Sequence, residues 1–273
     1  FLATSSKVLS AVTIVTVMAY LLEFNKIPEL QKVVPASSLV YSMLHNCYKN
    51  NNKWPILDIF IDDLDIKKIT SVVCHEYSYN EEKGIYFYFL YSTNPANLKQ
   101  LLQQTGVVEW NARIIKSAGD TLSFEVMKQL CREHGLLNKE PTYFCHQYIL
   151  TDQDRLKNFI TKMVLPEKFK IAPLQMDHAK LLHSKWMYAE PPPLQRFENL
   201  IKYQPTLAIY NEKQQPISWG AIKEFGDIGF TQTLPEYQRQ SLASIVTANL
   251  ARQSLQNGVQ LCVVISDSNE ASK

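Results

Sequence analysis

The feature that most constrains how this 273-residue chain can fold is the order of hydrophobic periods in its second half. Residues 170–173 read as a strand, and 177–187 and 194–203 place apolar residues at helical spacing. Between those two helices Pro191-Pro192-Pro193 fixes φ and removes donors, so the chain must run extended there. Three strand-like runs follow, 206–210, 217–225 and 228–233, joined by turns at 211–215 and at Gly226-Asp227. The helix expected over 243–256 carries Leu242, Ile245, Val246, Leu250 and Leu255 on one face and stops at Asn257-Gly258. Residues 260–266 read as a buried strand. The resulting string β, α, α, β, β, β, α, β predicts an α/β unit, a mixed central sheet with helices on its faces.

The first half has the same character. Leu30, Val33 and Val34 follow a helical spacing broken at Pro35, and Ser37 and Ser38 can cap the next turn. The runs 66–74 and 84–91 are rich in β-branched and aromatic residues, as strands are. Ser92-Thr93-Asn94-Pro95 predicts a helix start with proline in its first turn, continued by Leu98, Leu101 and Leu102 as far as Gly106. A helix over 123–134 stopped at Gly135, a strand over 143–150 and a helix with a polar connector over 152–166 complete it. Gln103-Gln104-Thr105-Gly106 closes a helix instead of opening one, so no anion-binding loop is expected before Asp152. We divide the chain into an apolar extension (1–24), a first unit (25–166) and a second (167–273).

A hydrophobic content of 46% supports two ordinary cores. The formal charge of +2 and the absence of a basic run make nucleic acid an unexpected partner. Five widely spaced cysteines without a CxxC pair predict reduced thiols in an intracellular compartment. Cys74-His75 and Cys145-His146 are neighbours on strands and point to opposite faces, and His178 and His183 are five apart on a helix, so no metal is expected. The apolar run 8–22 is shorter than the roughly 20 residues of a membrane span. It reads as an h-region-like stretch, a buried helix or a translated extension. No membrane partner is expected, although a membrane-tethered interaction protein is the reading this run would support.

Residues 233–244, TLPEYQRQSLAS, lie where a strand turns into a helix, so successive main-chain N–H groups can face an anion such as a pyrophosphate. A plain strand-to-helix connection explains the position equally well. Asp227 is either a turn residue or a candidate base, and Glu236 is either a rival base or an acid favoured by a helix start. Ser268 or Asn269 can cap a further helix.

Gln238-Arg239-Gln240-Ser241-Leu242-Ala243 is similar to the Q/R-x-x-G-x-G/A loop of GNAT acyltransferases, and the element string of the second half is that of their fold. Thr233-Leu234-Pro235-Glu236-Tyr237 and Ser268-Asn269-Glu270-Ala271 resemble signatures of the glycine N-acyltransferase family. Lys53-Trp54-Pro55, Tyr91-Ser92 with Pro95 and Asn97, and Trp110 resemble its amino-terminal region. The likeness covers about residues 26–273.

It implies a GNAT-type domain preceded by a degenerate GNAT-like one. It also implies acyl-CoA as co-substrate with no permanently bound cofactor, and transfer to glycine or a similar amino acid, glutamine included, in a ternary complex. Coenzyme contacts would fall on Thr233, Leu234, Gln238, Arg239, Gln240, Ser241, Leu242, Ala243 and Ser244, with main-chain N–H groups of Thr233 and Leu234 holding the oxyanion. Asp227 stands where relatives carry a glutamate taken as the general base, and Asn269 would orient the pantetheine or thioester. The family implies a mitochondrial location. Lys273 falls inside the expected last helix, so the closing elements of that fold are expected beyond it. Two departures, Ser241 for glycine and Asp227 for glutamate, favour the alternative of a non-catalytic acyl-CoA-binding relative.

Overall fold

The computed structural model describes residues 18–77, 81–136, 145–149, 153–186, 191–256 and 262–266. Two sheets organise it. The first has the order β1 (Tyr20–Leu21), β2 (Leu57–Ile61), β3 (Ser71–Glu76), β4 (Ile85–Ser92), β5 (Ile114–Gly119), antiparallel except for the parallel pair β4–β5. Side chains alternate across it. Ile59, Ile61, Val72, Cys74, Phe87 and Phe89 face α1 (Ile27–Leu30) and α2 (Leu39–Lys49), while Val73, Tyr88 and Leu90 face α3 (Pro95–Leu102) and α4 (Thr121–Glu133). Both faces are thus covered, and β3 is buried along its whole length. The expected starts are in place: Ser38 caps α2 through Val40 N–H, and Asn94 caps α3 through Ala96 and Asn97 with Pro95 in the first turn.

The second sheet runs β6 (Cys145–Ile149), β11 (Cys262–Ser266), β10 (Asp227–Thr233), β9 (Pro216–Ile222), β8 (Thr206–Tyr210), β7 (Lys170–Ala172). Leu207, Ile209, Ile217, Ile222 and Ile228 pack under α8 (Leu242–Gln256), with α5 (Gln153–Lys162) beside it. Ala208, Tyr210 and Trp219 pack on the opposite face under α6 (Ala179–Ser184) and α7 (Leu194–Tyr203). The chain is a mixed α/β protein with two mixed sheets flanked by helices.

Two features differ from the sequence reading. Strand β6 lies within 25–166, yet it pairs antiparallel with β11 from Cys262↔Ile149 to Ser266↔Cys145, so a strand from the first half closes the edge of the second sheet. Tyr20 and Leu21, placed in the apolar extension, pair with Phe60 and Ile61 as an edge strand. Residues 8–17 of that run lie outside the described residues, and no helix among those described is long and apolar enough to cross a membrane.

The halves meet at the β9–β10 turn. Asn46 Nδ2 of α2 donates to the Glu224 carbonyl at 2.7 Å, and Phe225 packs against Phe87 and Phe89. Gly226, with φ +86, has no room for a side chain: a Cβ would stand 2.6 Å from Ser42 Oγ. Trp54, fully buried, packs with Leu200 and Ala221 of the second half.

Candidate functional site

β10 and β11 pair in parallel at Asp227↔Cys262 and Ile228↔Val263 only, although both strands run on. Beyond Ile228, β10 is kinked by a bulge in which Phe230 and Thr231 oppose one residue of β9, and Phe230 takes a left-handed φ of +53. The strands therefore separate, and a cavity of 490 Å³ opens between them. Gly229, Thr231 and Gln232 line one side, Val263 to Ile265 the other, and Ala243, Ser244 and Thr247 of the first turns of α8 close one end. Trp186, Trp219 and Phe230 form an aromatic wall, with Phe230 5.5 Å from Trp186 and 5.6 Å from Phe197 between ring centroids.

The predicted site residues separate into groups. Ala243 and Ser244 border the cavity, and their N–H groups belong to the helix start, where no intrahelical acceptor exists. Leu242 is a core residue beneath α8, so only its main chain is available. Gln238, Arg239, Gln240 and Ser241 are exposed on the loop leading into the helix. Arg239 and Ser241 both adopt positive φ, +60 and +57. The loop thus holds two side-chain-bearing residues in a conformation that suits glycine, which costs about 1–2 kcal/mol at each.

Leu234 departs from expectation: its N–H donates to the Ile217 carbonyl at 2.9 Å, so sheet pairing already uses it. The Thr233 carbonyl accepts from Gln238 Nε2 at 3.3 Å. By strand alternation its N–H points the same way, off the β9 side. Of the two expected oxyanion donors, Thr233 alone keeps a suitable direction.

Asp227 is completely buried at the start of β10, with Oδ2 2.7 Å from Lys223 Nζ. Burial pushes its carboxyl above the usual range, while the Lys223 ammonium and the Val264 main-chain N–H pull the other way. It does not itself border the cavity; Lys223 does. Glu236 is exposed in the turn Pro235–Tyr237 and lies away from the cavity lining. Asn269 and the Ser268-Asn269-Glu270-Ala271 stretch lie outside the described residues, as do the side chains of Cys145 and His146. Cys74 sits in one core face while His75 stacks on Tyr88 on the other, so this pair diverges as strand geometry requires.

Three cations at the cavity, Lys185, Arg196 and Lys223, were not among the expected site residues. Arg196 is buried between Glu76 of β3 (Nη1 to Oε2, 3.3 Å) and Glu224, with which it forms an ion pair. The one signal that could have found Lys223 is the group of charges Lys223-Glu224 and Asp227 in a hairpin whose other residues are core; nothing local marks Lys185 or Arg196.

The family model described as FR47-like protein matches residues 206–273. The chain is 24% identical to human glycine N-acyltransferase, over 89% of this chain and 86% of that one. It is 23% identical to the rat enzyme of the same name, over 80% and 77%, and 24% identical to bovine glycine N-phenylacetyltransferase, over 84% and 82%. Among solved structures, a Drosophila protein superposes with a TM-score of 0.75 at 17% identity, covering 94% of this chain and 92% of that one. A GCN5-related N-acetyltransferase from Sphaerobacter thermophilus superposes at 0.51 with 8% identity, covering 94% and 88%. The chain thus shares the fold of a GCN5-related N-acetyltransferase, is similar to glycine N-acyltransferases along most of its length, and matches the FR47-like family over residues 206–273.

Proposed function

We propose that this protein transfers an acyl group from acyl-CoA to the amino group of glycine or a similar amino acid. The observation that carries the reading is the cavity opened where β10 leaves β11, which runs to the first turn of α8. Main-chain N–H groups of residues 242–244 would hold the pyrophosphate and the opened strands would admit the pantetheine arm. No permanently bound cofactor is needed, because the thioester itself is the activated group.

In the ternary complex the acceptor ammonium loses one proton to Asp227, and its nitrogen attacks the thioester carbon. The Thr233 N–H faces the developing oxyanion. The carbon–sulfur bond then breaks and the electron pair leaves with the thiolate. The second amine proton passes to sulfur, giving an N-acyl amino acid and coenzyme A. Residence in the mitochondrion is part of the same proposal, tested by imaging the tagged full chain.

Incubating the protein with benzoyl-CoA or phenylacetyl-CoA should release thiol in the presence of glycine or glutamine and not without an acceptor. A non-catalytic acyl-CoA-binding role is the second reading, favoured by the strained Ser241 and by the burial of Asp227. Tight coenzyme A binding without acceptor-dependent thiol release would select it. Ser241→Gly should raise stability by about 1 kcal/mol, since relief of the left-handed strain exceeds the entropy cost of glycine. Coenzyme A should bind the variant more tightly, measured by melting with and without the ligand; an unchanged coenzyme affinity would remove this loop from the site.

A further inference from the structure

Asp227 can serve as a base only if an acceptor reaches it, and the group that borders the cavity at that point is Lys223. The aliphatic stem of Lys223 crosses Gly229 so closely that a Cβ there would stand 2.7 Å from Lys223 Cε. Its ammonium lies 4.3 Å from the centroid of Phe225 and 5.9 Å from that of Phe230, and 2.7 Å from Asp227 Oδ2. The side chain is 17% exposed, against 3% for Arg196, whose guanidinium is engaged by two buried glutamates. Among the described lining residues the cavity carries Lys185, Arg196 and Lys223 and no carboxylate.

We propose that the Lys223–Asp227 ion pair is the acceptor clamp: a zwitterionic amino acid inserts into it, carboxylate on Lys223 Nζ and ammonium on the Asp227 carboxylate. This rests on the N-acyltransferase reading and names the acceptor class it takes. Parting two buried charges is costly unless each finds a new partner, and an amino acid supplies both from groups on one carbon. A simple amine leaves Lys223 without an anion, and so does an amino acid amide. Insertion also places the ammonium against Asp227, the contact that the first proton transfer requires.

The test uses the full chain with benzoyl-CoA, comparing kcat/KM for glycine and for glycinamide, which lacks the anion. Lys223→Met keeps the stem over Gly229 and removes the charge. It should lower kcat/KM for glycine on the order of 100-fold, mostly through KM, as deletion of one partner of a buried charge pair does. The KM for benzoyl-CoA should stay within a few-fold of the wild type, and glycinamide turnover should fall much less than glycine turnover, so that the preference for glycine is lost. Gly229→Ala should shift the glycine-to-glycinamide ratio in the same direction by pushing the ammonium aside, and it decides the matter if Lys223→Met does not fold. A wild type without preference for glycine over glycinamide, or variants that keep that preference, would overturn the clamp while leaving acyl transfer standing. A wild type that turns over no acceptor overturns the transferase reading and the clamp with it.

Discussion

Asp227→Asn is expected to lower kcat for amino acid conjugation by roughly 10²–10⁴-fold, the range for loss of a positioned base, while coenzyme A affinity stays unchanged. Asparagine has the shape of the carboxylate and can accept from Lys223, but it takes no proton. The wild-type rate should fall on the acid side with an apparent pKa above that of an ordinary aspartate, because burial raises this carboxyl. The groups it faces are Lys223 from the turn and the Val264 N–H on β11. The sign for stability is opposite to that for activity. A carboxyl whose folded pKa is raised stabilises the fold below its unfolded pKa, and that contribution is lost as pH rises through the folded value. Wild type should therefore lose stability relative to the Asn variant as pH rises from about 4 towards neutrality, measured by urea unfolding at several pH values. If acceptor-dependent turnover survives in Asp227→Asn, the base lies elsewhere, and Glu236→Gln is the variant to make next.

How far the sequence revealed this site depended on the range of the interactions involved. Helix α7 and strand β8 match their expected bounds, and α8 and β10 begin one residue earlier than expected. In these elements the apolar period is local and needs no knowledge of the partner. The helix Leu39–Lys49 was absent from the expected string, although Leu39, Val40, Met43, Leu44 and Cys47 have its spacing. Its buried face also carries Ser42 and Asn46, polar residues that look exposed until Gly226 and the Glu224 carbonyl are placed against them.

Strand β5 is half-buried throughout, so IIKSAG has no alternation to read. The pairing of β6 with β11 joins segments more than a hundred residues apart in sequence, and no local pattern encodes a partner. At the site, the corner 233–244 was legible as a turn from strand to helix, because the apolar periods on either side of it are local. The roles of Lys223 and Arg196 were not. Arg196 meets Glu76 across 120 positions of sequence, and Lys223 reaches Asp227 only because the hairpin turns within the three residues between them. Two expected donors looked alike until the register of β9 and β10 committed Leu234 to Ile217 and left Thr233 facing the other way.

The largest effect on stability should come from Arg196→Met, at about 3–5 kcal/mol, the cost of stripping a partner from buried charge. Arg196 is 3% exposed and stands between Glu76 and Glu224, both fully buried, so its removal leaves two carboxylates in the interior facing each other. Because Glu76 belongs to the first sheet and Glu224 to the turn of the second, the loss loosens the seam between the halves as well. The turn it loosens carries Lys223 and Asp227, so kcat should fall along with stability. The measurement is urea unfolding of Arg196→Met, of Glu76→Gln with Glu224→Gln, and of the triple variant. If the penalty arises from uncompensated charge, neutralising both glutamates in the Met background should recover most of it, since an uncharged trio has no desolvated ion to support. A triple variant no more stable than Arg196→Met would mean that the guanidinium acts by packing. A loss below about 1 kcal/mol for Arg196→Met alone would mean that protons or water already compensate the two carboxylates. The recovery also has a kinetic side: if Arg196 serves catalysis only by holding the turn, the triple variant regains kcat in proportion to its stability.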